Sequence, residues 1–311
     1  MTEIGRRSFL RTAAGAALGA GLGGMYTSWQ GTPVLADEPS TDAMPTRRLG
    51  KIGYEASVFS LGGMTTIMER DSREDAAAII HRALELGVNY IDTADSYRAG
   101  DSESNIGDAL EGRRDEVFLA TKTRQRSLEG LAEETFEQTC ERLKTDYVDL
   151  YFLHAVQDLD DLDTVLDREN GTILAFERLR DAGRIGNIGI SSHSSSTLMA
   201  AMERYDFDCV FVTMNPAGLN MNDPENLRDM LAMAQDKDIG AVGMKIPSRG
   251  GVLDRGITME EAMGYALSLP IATANIGIST LDILEENVKL AKAFKPLEEE
   301  QLAELERRAL A

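Results

Sequence analysis

Val148-Asp149-Leu150-Tyr151-Phe152-Leu153, followed at once by His154, is the stretch from which the architecture can be read. Its apolar side chains run on with little polar alternation. That is the pattern of a strand covered on both faces, as in a parallel sheet. Similar runs occur at 57–61, 89–91 and 117–120 before it, and at 188–190, 210–212, 241–244 and 276–278 after it. They make eight, spaced by roughly the length of one strand-helix unit.

Helix signals fill the gaps. Ser72 to Asp75 offers a capping box ahead of Ala76, Ile79, Ile80 and Ala83, with Gly87 as the stop. Ser127 is placed to cap the helix carrying Leu131, Cys140 and Leu143, and Asp223-Pro224 to open another that Gly240 ends. Eight strands alternating with helices predict an α/β protein of the (β/α)8 TIM-barrel class. A doubly wound sheet is the alternative, but no GxGxxG follows the first run. Residues 47–54, turning at Gly50-Lys51 and Gly53, predict an N-terminal β-hairpin that closes the barrel bottom.

The 311 residues carry a net charge of −20. So many carboxylates repel phosphate backbones and anionic lipid, which argues against nucleic-acid or membrane-surface partners. The two cysteines, Cys140 and Cys209, form no CxxC and no metal spacing, so they read as core residues. No metal site is expected. The first residues read differently. Gly5-Arg6-Arg7-Ser8-Phe9-Leu10-Arg11 has the form of a twin-arginine export signal; residues 12–25 carry no charge, and Val34-Leu35-Ala36 precedes a cleavage point at Asp37. The expectation is a signal peptide over 1–36 and a barrel over 37–311. Passage through the twin-arginine machinery would leave the protein in the periplasm or another extracytoplasmic space, with no stable membrane span after cleavage. The single tryptophan, Trp29, would leave with the signal.

Barrel chemistry sits at the C-terminal ends of the strands. Here those ends read Ile91-Asp92-Thr93-Ala94-Asp95-Ser96-Tyr97, Ala120-Thr121-Lys122, Phe152-Leu153-His154 and Ser191-Ser192-His193. A carboxylate, a phenol, an amine and an imidazole thus come from three consecutive strands. A phenol titrates near 10, too high for easy proton donation at neutrality. An adjacent ammonium, held by a carboxylate, is expected to lower it. Asp92, Lys122 and Tyr97 supply these parts, and His154 can orient a substrate carbonyl by a hydrogen bond.

Longer motifs carry a family resemblance. Ile91-Asp92-Thr93-Ala94 with Tyr97, continued by Gly100, Ser102, Glu103, Gly107, Ala109 and Leu110, resembles the first motif of the aldo-keto reductases. Arg142-Leu143-Lys144-Thr145-Asp146-Tyr147-Val148-Asp149-Leu150-Tyr151, ending at His154, is similar to the family's most characteristic stretch. Gly183-Arg184-Ile185 with Ile188-Gly189-Ile190-Ser191 resembles the next. The resemblance implies the (β/α)8 fold, an NAD(P) cofactor across the barrel mouth, and catalytic roles for Asp92, Tyr97, Lys122 and His154. It implies cofactor contacts from Met64, Ser191, Ser192, Asn215, Met244, Lys245, Arg249, Ser279, Thr280 and Asn287. The loop 246–252 would cover the pyrophosphate, its backbone N–H groups serving as a phosphate nest.

The chain departs from the family pattern around the cofactor. Ser192 replaces an asparagine, Phe211 stands where a glutamine is common, and Gly277 and Ile283 fall where many members clamp a 2′-phosphate with cations. The resemblance favours NADP(H) over NAD(H) by a small margin. No cysteine cluster follows the barrel, so no iron-sulfur extension is expected. The acidic segment 155–170 reads as a loop over the pocket mouth, and 298–310 as a surface helix.

The expected activity is NAD(P)H-dependent reduction of a small carbonyl substrate, or the reverse oxidation of an alcohol. A cofactor-binding redox sensor or partner subunit with little turnover is the alternative, and it would share the fold without the reaction.

Overall fold

Residues 43–128 and 132–311 are described by a computed structural model; the 1–36 segment read as an export signal lies outside them. The chain enters through a short antiparallel pair, β1 (Thr46–Arg48) and β2 (Glu55–Ser57). Gly50 at its turn is left-handed (φ +47°), and a Cβ there would lie 2.2 Å from the backbone N of Gly240. Only glycine lets the turn dock this closely. Leu49 and Ala56 thereby enter the barrel floor.

Eight parallel strands follow: β3 (Phe59–Gly62), β4 (Tyr90–Asp92), β5 (Phe118–Thr123), β6 (Val148–Leu153), β7 (Ile185–Ser192), β8 (Cys209–Thr213), β9 (Gly240–Met244) and β10 (Thr273–Gly277). They pair in chain order, and β10 closes on β3. Each of the eight apolar runs became one of these strands. The helices between them are α1 (Arg73–Glu85), α2 (Asp101–Ala109), α3 (Ala132–Leu143), α4 (Leu159–Leu166), α5 (Ile173–Asp181), α6 (Ser195–Arg204), α7 (Leu227–Asp236), α8 (Met259–Ser268), α9 (Leu281–Ala293) and α10 (Glu299–Leu310).

Side chains alternate across each strand, so two apolar layers result. Ile91, Leu119, Leu153 and Val210 face outward to helix residues such as Ile80, Phe136 and Phe176. Tyr90, Phe118, Leu150, Phe152, Phe211 and Val242 fill the inside. Each fully buried side chain of this size contributes roughly 1.5–3 kcal/mol of transfer free energy. Counting in twos from Tyr90, Phe118 and Leu150 along their strands gives Asp92, Lys122 and His154. The alternation that packs the floor therefore carries the polar residues to the mouth.

Several local expectations need correction. Ser72 precedes α1 but makes no side-chain cap bond; the arginine that follows it already continues a helical backbone from a preceding 3-10 turn. Ser127 forms an isolated bridge with Gly171 instead of capping α3. Pro224 opens a 3-10 turn ahead of α7, and Gly240 starts β9 because the helix has already ended at Asp236. The 155–170 segment is not a loop. Asp158 accepts from the Asp161 N–H and caps α4, while Asp161 binds Arg126 and Asp163 binds Arg204. Much of its acidity is thus spent on holding the helix in place. The two cysteines are buried free thiols. No helix among the described residues is long and apolar enough to cross a membrane.

Candidate active site

Lys122 is the centre. Its ammonium is 1% exposed and donates to Asp92, to the Thr93 carbonyl at 2.7 Å, and to the Tyr97 hydroxyl at 3.5 Å. It also stands 4.8 Å over the Phe211 ring and 5.1 Å over that of Tyr97. A buried amine in hydrocarbon would lose its proton, but Asp92 and the two rings supply the negative side of its surroundings.

Tyr97 reaches Lys122 through an unusual turn. Arg98 and Ala99, directly after it, both hold left-handed backbone (φ +51° and +53°). Each such residue costs about 1–2 kcal/mol. The turn is held by an ion pair of Arg98 with Glu69 and by Gly100, itself at φ +93°. A Cβ on Gly100 would lie 2.4 Å from the Arg142 guanidinium. That guanidinium meets Glu103, a wholly buried carboxylate that also accepts from Thr121 at 2.7 Å and Thr139 at 3.1 Å. The motif residues Gly100, Glu103 and Arg142 thus brace α2 against α3 behind the tyrosine.

His154 is 8% exposed. Its ring stands edge-on to Tyr97, with centroids 5.8 Å apart, and Nδ1 lies 3.3 Å from the Ser96 hydroxyl. Burial, and then the positive charges of Lys122, Arg124, Arg126 and Lys245, pull its pKa down to about 2. The ring is neutral at any working pH, so it offers a hydrogen bond and not a charge.

The expected lowering of the phenol does not occur. Burial outweighs the pull of Lys122, with Asp92 adding to the rise, and Tyr97 sits above its ordinary value. Burial likewise raises Asp92, to about 6, against the attraction of Lys122. Burial alone would lower Lys122; Asp92 and Tyr97 together outweigh it and raise the amine. In the resting site the phenol keeps its proton. The ammonium beside it can act only as negative charge develops on the oxygen.

Tyr97, Lys122 and His154 floor a cavity of about 510 Å³, with Asp92 behind Lys122. Met64, Ser191, Met244, Lys245 and Arg249 line it, as expected. Ser192, Asn215, Ser279, Thr280 and Asn287 do not. The Ser192 hydroxyl donates to the Val156 carbonyl at 2.6 Å and accepts from the Ser194 N–H, pinning the end of β7. Asn215 ties its own loop to Leu219 and Lys245. Thr280 caps α9, Ser279 is exposed beside it, and Asn287 is buried within that helix.

The 246–252 loop also differs from the expected nest. The N–H groups of Ser248, Gly250, Gly251 and Val252 are all bonded to carbonyls of residues 245–248. Among the described residues the N–H groups of Ile246 and Arg249 carry no such bond, and Lys245 and Arg249 add cationic side chains beside them.

Ser96, Arg124, Gln157 and His193 line the cavity without having been singled out as site residues. Arg124 lies two residues beyond Lys122, and that period-two step was the one available signal. Among the described residues no side chain of Asp or Glu lines the cavity, in a chain where acidic residues outnumber basic ones by 52 to 32. Lys245 and Arg249, on a wall with no carboxylate among the described residues, suit a polyphosphate cofactor.

A closed (β/α)8 barrel with a buried Asp-Lys-Tyr-His group below a cationic mouth defines a class of oxidoreductase. The profile of the aldo/keto reductase family matches residues 59–311, and the chain belongs to that family. It is an NAD(P)-dependent oxidoreductase. An uncharacterized oxidoreductase of Bacillus subtilis, YqkF, is 27% identical over 83% of this chain and 94% of its own. An aldo-keto reductase of Schizosaccharomyces pombe, described as NADP(+)-linked, is 30% identical over 59% of this chain and 56% of its own. Among solved structures, the holo form of an aldo-keto reductase from Bacillus halodurans superposes with a TM-score of 0.72. It is 28% identical and covers 86% of this chain and 97% of its own.

Proposed function

We propose that the protein reduces small aldehydes and ketones with NAD(P)H. The observation that carries this is Lys122, buried between Asp92 and the Tyr97 hydroxyl at the floor of the cavity. A bound nicotinamide would supply hydride to the carbonyl carbon. The neutral His154 ring orients the carbonyl oxygen, and Tyr97 gives that oxygen its proton. The phenolate left behind is stabilised by Lys122 until solvent restores the proton. Asp92 keeps the amine charged and in place.

Met64, Ser191, Met244, Lys245 and Arg249 are the residues that would hold the cofactor. The cationic wall and the NADP(+) linkage of the fission-yeast relative favour NADP(H) over NAD(H). The Arg6-Arg7 motif and the uncharged 12–25 run support export by the twin-arginine route to the periplasm. That route carries folded proteins, so an enzyme could leave with its cofactor already in place. Fusing residues 1–36 to a reporter tests the export. Retention of the reporter in the cytoplasm, or export unchanged by Arg6→Lys with Arg7→Lys, would overturn it.

The reaction is tested by following NADPH or NADH absorbance with a panel of aldehydes, ketones and quinones. Turnover that Tyr97→Phe abolishes is expected. Cofactor binding without turnover, unaffected by Tyr97→Phe, would favour a cofactor-binding sensor or partner subunit instead.

A further inference from the structure

Lysines and arginines on an acid-rich surface are generally paired, and most here are. Arg126 shows the rule: it binds Asp161 and the carbonyls of His154 and Ala155. Arg124, two residues earlier on the same strand end, breaks it. Its guanidinium has no hydrogen-bond or ion-pair partner among the described residues, and the same holds for the side chains of Lys245 and Arg249. These three unpaired cations all line one cavity.

The barrel separates them into two groups. Lys245 and Arg249 follow β9, whereas Arg124 follows β5, four strands away in an eight-stranded ring and so on the opposite rim. Lys245 and Arg249 sit beside Met244 at the end of β9, and Met64, after β3, and Ser191, on β7, lie two strands from each group. Arg124 is flanked by Ser96, after β4, and by His154 and Gln157, after β6, while His193 follows β7, midway between the two groups. Its charge is felt at Tyr97, His154 and His193, and also at the Asp95 carboxylate, which does not line the cavity, so it overlooks the place where the substrate carbonyl would sit.

His193, between the two groups, does not add a second cation beside Arg124. Its Nδ1 lies 3.0 Å from the Asn220 carbonyl, which can only accept, so Nδ1 carries the hydrogen. Burial, with Lys245 and Arg124 adding to it, lowers its pKa, and the ring stays neutral. Gln157 and Ser96 contribute neutral donors. One unpaired guanidinium flanked by neutral hydrogen-bonding groups, with no carboxylate on the wall among the described residues, is the chemistry of a carboxylate subsite.

Resting on the carbonyl-reductase reading, we propose that Arg124 selects substrates that bear a carboxylate a few bonds from the carbonyl: the class is oxo acids and semialdehydes. The anion binds the guanidinium at the rim while the carbonyl reaches Tyr97 and His154 at the floor.

The test compares two four-carbon aldehydes, 4-oxobutanoate and butanal, on the full mature protein and its Arg124→Gln and Arg124→Lys variants. The wild type should prefer 4-oxobutanoate in kcat/KM. Arg124→Gln should reduce that preference about tenfold, the order expected for one solvent-accessible charge-assisted contact, and chiefly through KM. Arg124→Lys should restore part of it, and added salt should weaken the preference in the wild type and in Arg124→Lys but not in Arg124→Gln. A wild type without preference, or an Arg124→Gln variant with the preference intact, overturns the proposal. Equal losses on both aldehydes make Arg124 a positioning residue and also overturn it. If neither aldehyde is turned over, the reductase reading fails separately. Titration of the NADP+ complex with succinate then decides the subsite: binding weakened by Arg124→Gln supports it, and binding unchanged overturns it.

Discussion

Replacing Lys122 by methionine removes the ammonium while roughly keeping the volume of its stem. The consequence for the reaction follows from one distance. At 3.5 Å from the phenol oxygen, a unit charge attracts a full phenolate by about 5 kcal/mol at an effective dielectric of 20. Asp92, on the other side of the amine, cancels part of this. With roughly half the charge developed on the oxygen at the transition state, about 1.5–2.5 kcal/mol of barrier lowering remains, a factor of about 10–70. Lys122→Met should therefore lower kcat by one to two orders of magnitude, with little change in cofactor affinity. The same substitution strands Asp92 in the barrel. A buried charge left alone costs about 3–5 kcal/mol, but Asp92, already raised to about 6, can take up a proton and escape part of it. Unfolding by denaturant should show a loss that deepens as pH rises, because the folded state then binds a proton that the unfolded state does not. Asp92→Asn added to Lys122→Met should recover stability without recovering rate. Stopped-flow turnover, tyrosine fluorescence quenching by NADPH and denaturation between pH 5 and 8 measure the three effects. A kcat within about threefold of wild type would refute the electrostatic argument, as would a rate that recovers together with stability.

Three further outcomes follow from the same geometry. Any inflection of kcat/KM near pH 6 should persist in His154→Gln and vanish in Asp92→Asn, since burial and the surrounding cations hold His154 down near 2 while Asp92 is raised to about 6; a limb lost only with His154 would contradict the assignment. Glu103→Ala should cost about 3–5 kcal/mol in denaturant unfolding by leaving Arg142 and two threonine hydroxyls without their acceptor, with Glu103→Gln milder. Phe211→Leu should lower kcat several-fold, because the ring under Lys122 at 4.8 Å supplies about 1–2 kcal/mol of cation–π attraction in a desolvated site; unchanged kinetics would show that the ring only fills space.

The eight apolar runs, and with them the barrel, were legible because a strand buried on both faces cannot alternate, and eight such runs have few closed arrangements. Asp92, Lys122 and His154 were legible for a related reason: strand ends in this fold face one mouth, and the period-two count assigns them to the inside. What depended on distant neighbours was not. The raised phenol of Tyr97 reflects burial by surrounding strands. Residues such as Ser192, Asn215 and Thr280 look like ligands in the sequence, yet their polar atoms are engaged by the Val156 carbonyl, the Leu219 and Lys245 carbonyls and the Ile283 N–H. Arg124 and Arg126 are the same residue type on one strand end. Only the position of Asp161, thirty-five residues further on, decides that one is a brace and leaves the other among the unpaired cations at the mouth. Sequence periodicity determined which residues share a face; which of their charges and donors remain available was set by partners brought close only when the barrel closed.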